Sequence, residues 1–186
     1  MLKLVFALVF LALASGQTIR PNISDTFKSE IDVEFHDVDG LHFGDGLWDC
    51  DYANDMAVEN YTLDEGGKKR MVEVLQRYDM KEVFEINSYG HHDCSHRTVS
   101  GHLSSVFGFL KNSTYRGEQQ YHHRTYQMWG VEARGIIVEV GIENATPDRP
   151  YIFRRKHAAD ETFYFFRSFN ATEPPASVFA IPSDCR

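Results

Sequence analysis

Residues 135–143 read Gly-Ile-Ile-Val-Glu-Val-Gly-Ile-Glu. Ile136, Val138, Val140 and Ile142 fall on one side of this stretch, and Glu139, Gly141 and Glu143 on the other. Such a period of two is the mark of a half-buried β-strand. The same pattern recurs on either side. Residues 31–35 alternate apolar and acidic side chains. Residues 56–63 and 70–78 flank Glu65-Gly66-Gly67-Lys68, a hairpin-type turn. In 82–87, Phe84 and Ile86 share a face opposite Glu85. Residues 121–133, 151–156 and 162–169 complete the strands, and Gly40, Gly44 and Gly46 read as turns. Residues 99–110 fit a short helix or an irregular crossover, and no long amphipathic helix stands out. Many short strands with turns between them predict an all-β sandwich or open barrel with little helix.

One strand departs from alternation. Thr162-Phe163-Tyr164-Phe165-Phe166-Arg167-Ser168-Phe169 carries aromatic rings on both faces. Either it is a central strand covered on both sides, or it covers a core with one face and lines an apolar pocket with the other.

The N-terminus predicts secretion. Met1-Leu2-Lys3 is a basic start, residues 4–14 are almost wholly apolar, and Ala14-Ser15-Gly16 offers small residues for cleavage. This is the form of a signal peptide over 1–16, too short to span a bilayer, and no later stretch predicts a transmembrane segment. The remaining 17–186 fit one domain, with 17–30 expected as a loose N-terminal arm. Five of the seven asparagines lie in Asn-x-Ser/Thr sequons: Asn22, Asn60, Asn112, Asn144 and Asn170. Glycosylation there requires passage through the secretory pathway, with an extracellular product or, through its sugars, delivery to a lysosome. The formal charge of -8 argues against nucleic acid as a partner and against docking on anionic lipid headgroups.

Few residues suggest chemistry. His91-His92-Asp93-Cys94-Ser95-His96 is dense in metal-binding types, but it lacks a zinc spacing. On a strand, His91 and Asp93 would face away from His92 and Cys94. With His122-His123, these read as surface histidines that charge as pH falls towards about 6. Gly-x-Ser-x-Gly is absent, and Asp37-Val38-Asp39-Gly40 lacks the further ligands of an EF-hand. The chain is read as a binding protein and not an enzyme. Three cysteines, Cys50, Cys94 and Cys185, leave one unpaired in an oxidising compartment.

Several stretches, in order, resemble the ependymin-related proteins. The C-terminal part carries most of the likeness: Phe165-Phe166, Pro175, then Val178-Phe179-Ala180-Ile181-Pro182-Ser183-Asp184-Cys185. Residues 84–87 before Cys94-Ser95, Asn112-Ser113-Thr114-Tyr115, Tyr126-Gln127-Met128-Trp129, and the hairpin from Asn60-Tyr61 to Arg70 add to it. The likeness covers roughly 50–185. It implies a secreted glycoprotein of two stacked antiparallel sheets, an open sandwich or half-barrel with a deep apolar pocket for fatty acids or related lipids. It also implies calcium binding, a homodimer and a Cys94–Cys185 disulfide. Cys50 is then a buried thiol, a free one or an intermolecular link. Members usually carry at least four cysteines, and residues 17–49 match poorly, so the family's calcium ligands are not carried over to this chain. The resemblance and the two-faced aromatic strand together predict a pocket lined by Phe84, Trp129, Ile136, Val138, Val140, Phe163 and Phe165. Each of these would serve equally as core. The expected function is to hold a hydrophobic ligand. The alternative is a matrix, adhesion or signalling glycoprotein acting through its sugars and an acidic, calcium-binding surface.

Overall fold

A computed structural model describes residues 18–89 and 93–185. The signal peptide expected at 1–16 lies outside them, as do His91 and His92. Eleven strands follow one another: β1 Thr26–Asp37, β2 Gly40–Asp51, β3 Met56–Glu65, β4 Lys68–Arg77, β5 Glu82–Ser88, β6 Cys94–Thr98, β7 Thr114–Tyr121, β8 Arg124–Ala133, β9 Ile136–Ile142, β10 Ile152–His157 and β11 Asp160–Asn170. The helical segments among the described residues are four short 3-10 turns.

The all-β reading holds, with one difference in how the layers arise. The strands form a single antiparallel sheet in the order β6-β5-β4-β3-β2-β1-β11-β10-β9-β8-β7. That sheet is strongly curled. Trp48 on β2 and Phe153 on β10 are three strands apart, which on a flat sheet is about 14 Å. Their ring centroids lie 5.2 Å apart. Tyr61 on β3 likewise meets Tyr164 on β11 at 6.3 Å. The two halves of one sheet therefore face each other as a half-barrel.

Glycine makes the curl. Gly44 and Gly46 are not turns; they sit inside β2 with their missing side chains on the concave face. A Cβ on Gly46 would lie 2.0 Å from the Asn60 carbonyl oxygen, and one on Gly44 would lie 2.3 Å from that of Thr62. Only glycine lets β3 fold so closely over β2.

The concave face holds the main core. Phe27 is fully buried and meets the rings of Trp48, Phe107, Phe166 and Phe169. Of the loose arm expected over 17–30, the part from Ile23 onward is packed instead. Ile23 and Phe27 are buried, and β1 starts at Thr26 because Phe27, Ser29, Ile31 and Val33 carry the inward alternation back to its first residues. A bulge at Glu30/Ile31 against β11 puts Phe166 and Phe169 on the same face.

Residues 99–113 form the irregular crossover, a strap laid into the concavity with Leu103, Phe107 and Leu110 buried. Two carboxylates hold its backbone. Asp55 accepts from the Leu103 N–H at 3.0 Å and contacts His102 Nδ1 at 2.6 Å. Asp25 accepts from the Phe107 N–H at 2.7 Å and from the Ser105 hydroxyl.

The convex face has two local covers. On the β3–β6 side, the C-terminal segment lays Phe179 on Val58, Leu75 and Phe84, and the Cys94–Cys185 disulfide ties it down. On the other side, the β7–β8 hairpin tip packs Tyr121 against Phe163 and His122 against Phe165. That tip divides what the sequence presented as one strand over 121–133. His122 and His123 hold φ of 46° and 65°, the left-handed pair that a two-residue hairpin turn demands and that Asn-Gly usually supplies.

Candidate functional site

A cavity of about 400 Å³ opens on the concave face, within the size range of small-molecule sites. One wall is the strap, through Leu103, Val106 and Phe109. The other is the inward face of β9 and β10, through Ile136, Val138 and Phe153. Trp48 and Tyr164 form its floor.

Polar groups enter at defined points. The Tyr164 hydroxyl donates to Glu59 Oε2 at 3.1 Å. Burial among aromatic rings raises the Glu59 carboxyl above its ordinary range, although the Tyr164 hydrogen bond and Arg155 oppose this. Burial also pushes the Tyr61 hydroxyl up to about 12, with Glu59 adding to it, and sets Tyr164 well above its usual range for the same reasons. Gln76 and Arg155 stand at the margin. The arrangement can hold an apolar body against aromatic and aliphatic walls while meeting one polar end.

The expected lining residues divide three ways. Ile136 and Val138 line the cavity. Trp129 and Val140 share its face but lie in the packed core. Phe163 and Phe165 are displaced to the convex face. Tyr164 and Phe166 point inward, so their odd-numbered neighbours point out and pack with Tyr126, Met128 and Ile152. Phe84 is also convex, beneath Phe179 beside the disulfide. The strap residues and Trp48, Glu59, Phe153 and Tyr164 were not foreseen. Trp48 alternates in register with Gly44 and Gly46, and that was the signal available for it.

Four of the five sequon asparagines, Asn22, Asn112, Asn144 and Asn170, are exposed. Asn60 is half-buried in β3 and donates to Glu73 Oε2 at 2.9 Å. Cys94 and Cys185 are bonded to each other. Cys50 is fully buried in β2, and burial, with nearby carboxylates, pushes its thiol up to about 12. It is therefore no intermolecular link in the folded chain. His96 is exposed and packs on the Phe84 ring at 5.9 Å.

Among the described residues, no three His, Cys, Asp or Glu side chains are grouped closely enough to hold a metal. Asp37 instead closes the β1–β2 turn, accepting from the Asp39 and Gly40 N–H groups. No helix among the described residues is long and apolar enough to cross a membrane.

No protein-family model matches the chain, and no curated protein matches it. Among solved structures, LprF from Mycobacterium bovis aligns at a TM-score of 0.35 and 12% identity, over 79% of this chain and 89% of that one. PNGF-II aligns at 0.31 and 8%, over 83% of this chain and 30% of that one. At these values neither says what this chain binds.

Proposed function

We propose that the chain is a secreted glycoprotein that binds, without transforming, a fatty-acid- or lipid-like molecule in the concave cavity. One observation carries this: a cavity of about 400 Å³ with aromatic and aliphatic walls, open to solvent beside the strap and left unfilled by the core around it. Each methylene buried there would contribute about 0.8 kcal/mol. The resemblance to ependymin-related proteins and the exposed sequons are in accord.

Native mass spectrometry of the deglycosylated protein, secreted by a cell and purified without detergent, tests the reading. Co-purified lipid released on denaturation is the expected result. Val138→Trp, which fills the cavity from β9, should abolish it. A protein that stays empty through incubation with oleate rejects the reading. The exposed glycosylation sites favour a second one, an adhesion or signalling glycoprotein acting through its sugars. It would require the lipid-free protein to self-associate on adding calcium, read by sedimentation velocity.

A further inference from the structure

The convex face has a groove of its own. Its floor is Asp32 and Glu34 on β1 with Phe43 and Asp45 on β2, and its side is Phe165, Arg167 and His122. Together they bound about 640 Å³. The C-terminal segment covers this face on one side and the hairpin tip on the other, and β2 between them is bare. Phe43 is 53% exposed, and Leu41 and Leu47 are each 47% exposed. Leu41, Phe43, Asp45 and Leu47 share one side of the strand, so at about 3.3 Å per residue the strip runs about 20 Å.

Carboxylates border the strip. Strand register sets Glu30, Asp32 and Glu34 beside it on β1, and Asp64 opposite Phe43 on β3. Arg167 Nε lies 3.4 Å from Asp32, and His122 Nε2 lies 3.3 Å from Glu34. The Asp45 carboxylate has no ion-pair or side-chain hydrogen-bond partner among the described residues. A second copy of this chain is a poor occupant, since two-fold contact would set these carboxylates against one another. The length suits an extended chain better than a small molecule.

We propose that this strip docks a basic, amphipathic peptide segment of a partner protein. Its apolar side chains lie on Leu41, Phe43 and Leu47, and its Lys or Arg groups reach Asp32, Glu34 and Asp45. The faces of Phe43 and Phe165 attract the same cations. The site shares no lining residue with the concave cavity, so it stands or falls independently of lipid binding.

The probe is a fluorescein-labelled peptide, Leu-Ser-Lys-Ser-Leu-Ser-Lys-Ser, which when extended shows leucine and lysine on one side. Its binding to the whole secreted protein is read by anisotropy at low salt. Asp45→Lys and Phe43→Ser should each weaken it by at least about tenfold, and added salt should weaken it further. Glu118→Lys, an equal change of charge on exposed β7, should leave it within about twofold. Unchanged unfolding midpoints establish that the variants fold. The proposal is overturned if the three variants behave alike, or if a peptide with Ser for Leu binds as well. It is also overturned if the peptide fails to bind while Phe43→Ser abolishes self-association, which would make the strip an interface between copies of this chain.

Discussion

The two faces of the sheet are covered by different means. The concave face closes on itself: the curl at Gly44 and Gly46 brings β2 and β3 over β10 and β11, and one cluster of rings joins both halves of the chain. The convex face is protected piecemeal, by a tail held with a disulfide at one end and a hairpin tip at the other. A shared core makes stability a property of the whole sheet. Local covers protect only what lies beneath them, and they leave the middle of β2 free.

Substitutions should separate the two regimes. Phe27→Ala, at the centre of the concave cluster, should cost about 3–5 kcal/mol in urea unfolding and lower hydrogen-exchange protection in both halves. Replacing both Cys94 and Cys185 by Ser opens a loop with ends 91 residues apart. This should cost about 2–5 kcal/mol. Its exchange signature should stay within β3–β6 and the C-terminal segment, and loss of protection in β9–β11 would break the distinction drawn here.

Gly46→Ala places a methyl against β3 backbone and should cost about 1–3 kcal/mol, reducing cavity binding as well because the curl opens. Leu47→Ala, one residue on but facing outward, should stay within about 0.5 kcal/mol and leave the cavity untouched.

The smallest effect depends on pH. Burial raises the Glu59 carboxyl in the folded chain above its ordinary 4.5. Its relative stabilisation is therefore complete below pH 4.5 and is lost as pH rises through the folded value. Glu59→Gln keeps an acceptor for Tyr164 and removes that loss. The variant should match the parent near pH 4 and unfold at a higher temperature at pH 7. A constant difference across this range would show that Glu59 does not titrate as argued.

The fold was legible wherever the two faces of a strand differ in polarity, as in β9, where the inward Val140 and the outward Glu139 fall as alternation requires. It was illegible in β2, where glycines occupy inward positions and leucine and phenylalanine point to solvent, so hydrophobicity marks the wrong face. The turn at His122-His123 was hidden because it lacks the Gly or Asn-Gly that usually marks a two-residue hairpin loop. The cavity was half legible. Period two placed Ile136 and Val138 together. No local pattern says which face of an all-aromatic strand is concave, so Phe163 and Phe165 were interchanged with Tyr164. Nor does an irregular segment announce that Leu103, Val106 and Phe109 will form a wall.

Cys50 lies inside β2, while the cysteines that bond come from β6 and from the last residues of the chain. On the proposed secretory route, Cys50 and Cys94 emerge well before Cys185 exists to compete for either. Cys50 faces the concave core, which only the strap and β9–β11 complete, so until those later parts pack its thiol can meet Cys94. A chain ended before Cys185 should accumulate a Cys50–Cys94 bond, detectable by mass mapping under non-reducing conditions, and substituting Cys50 by Ala should raise the yield of the full-length protein. A thiol that stays unbonded in the folded chain is thus a rival for the disulfide while that chain is still folding.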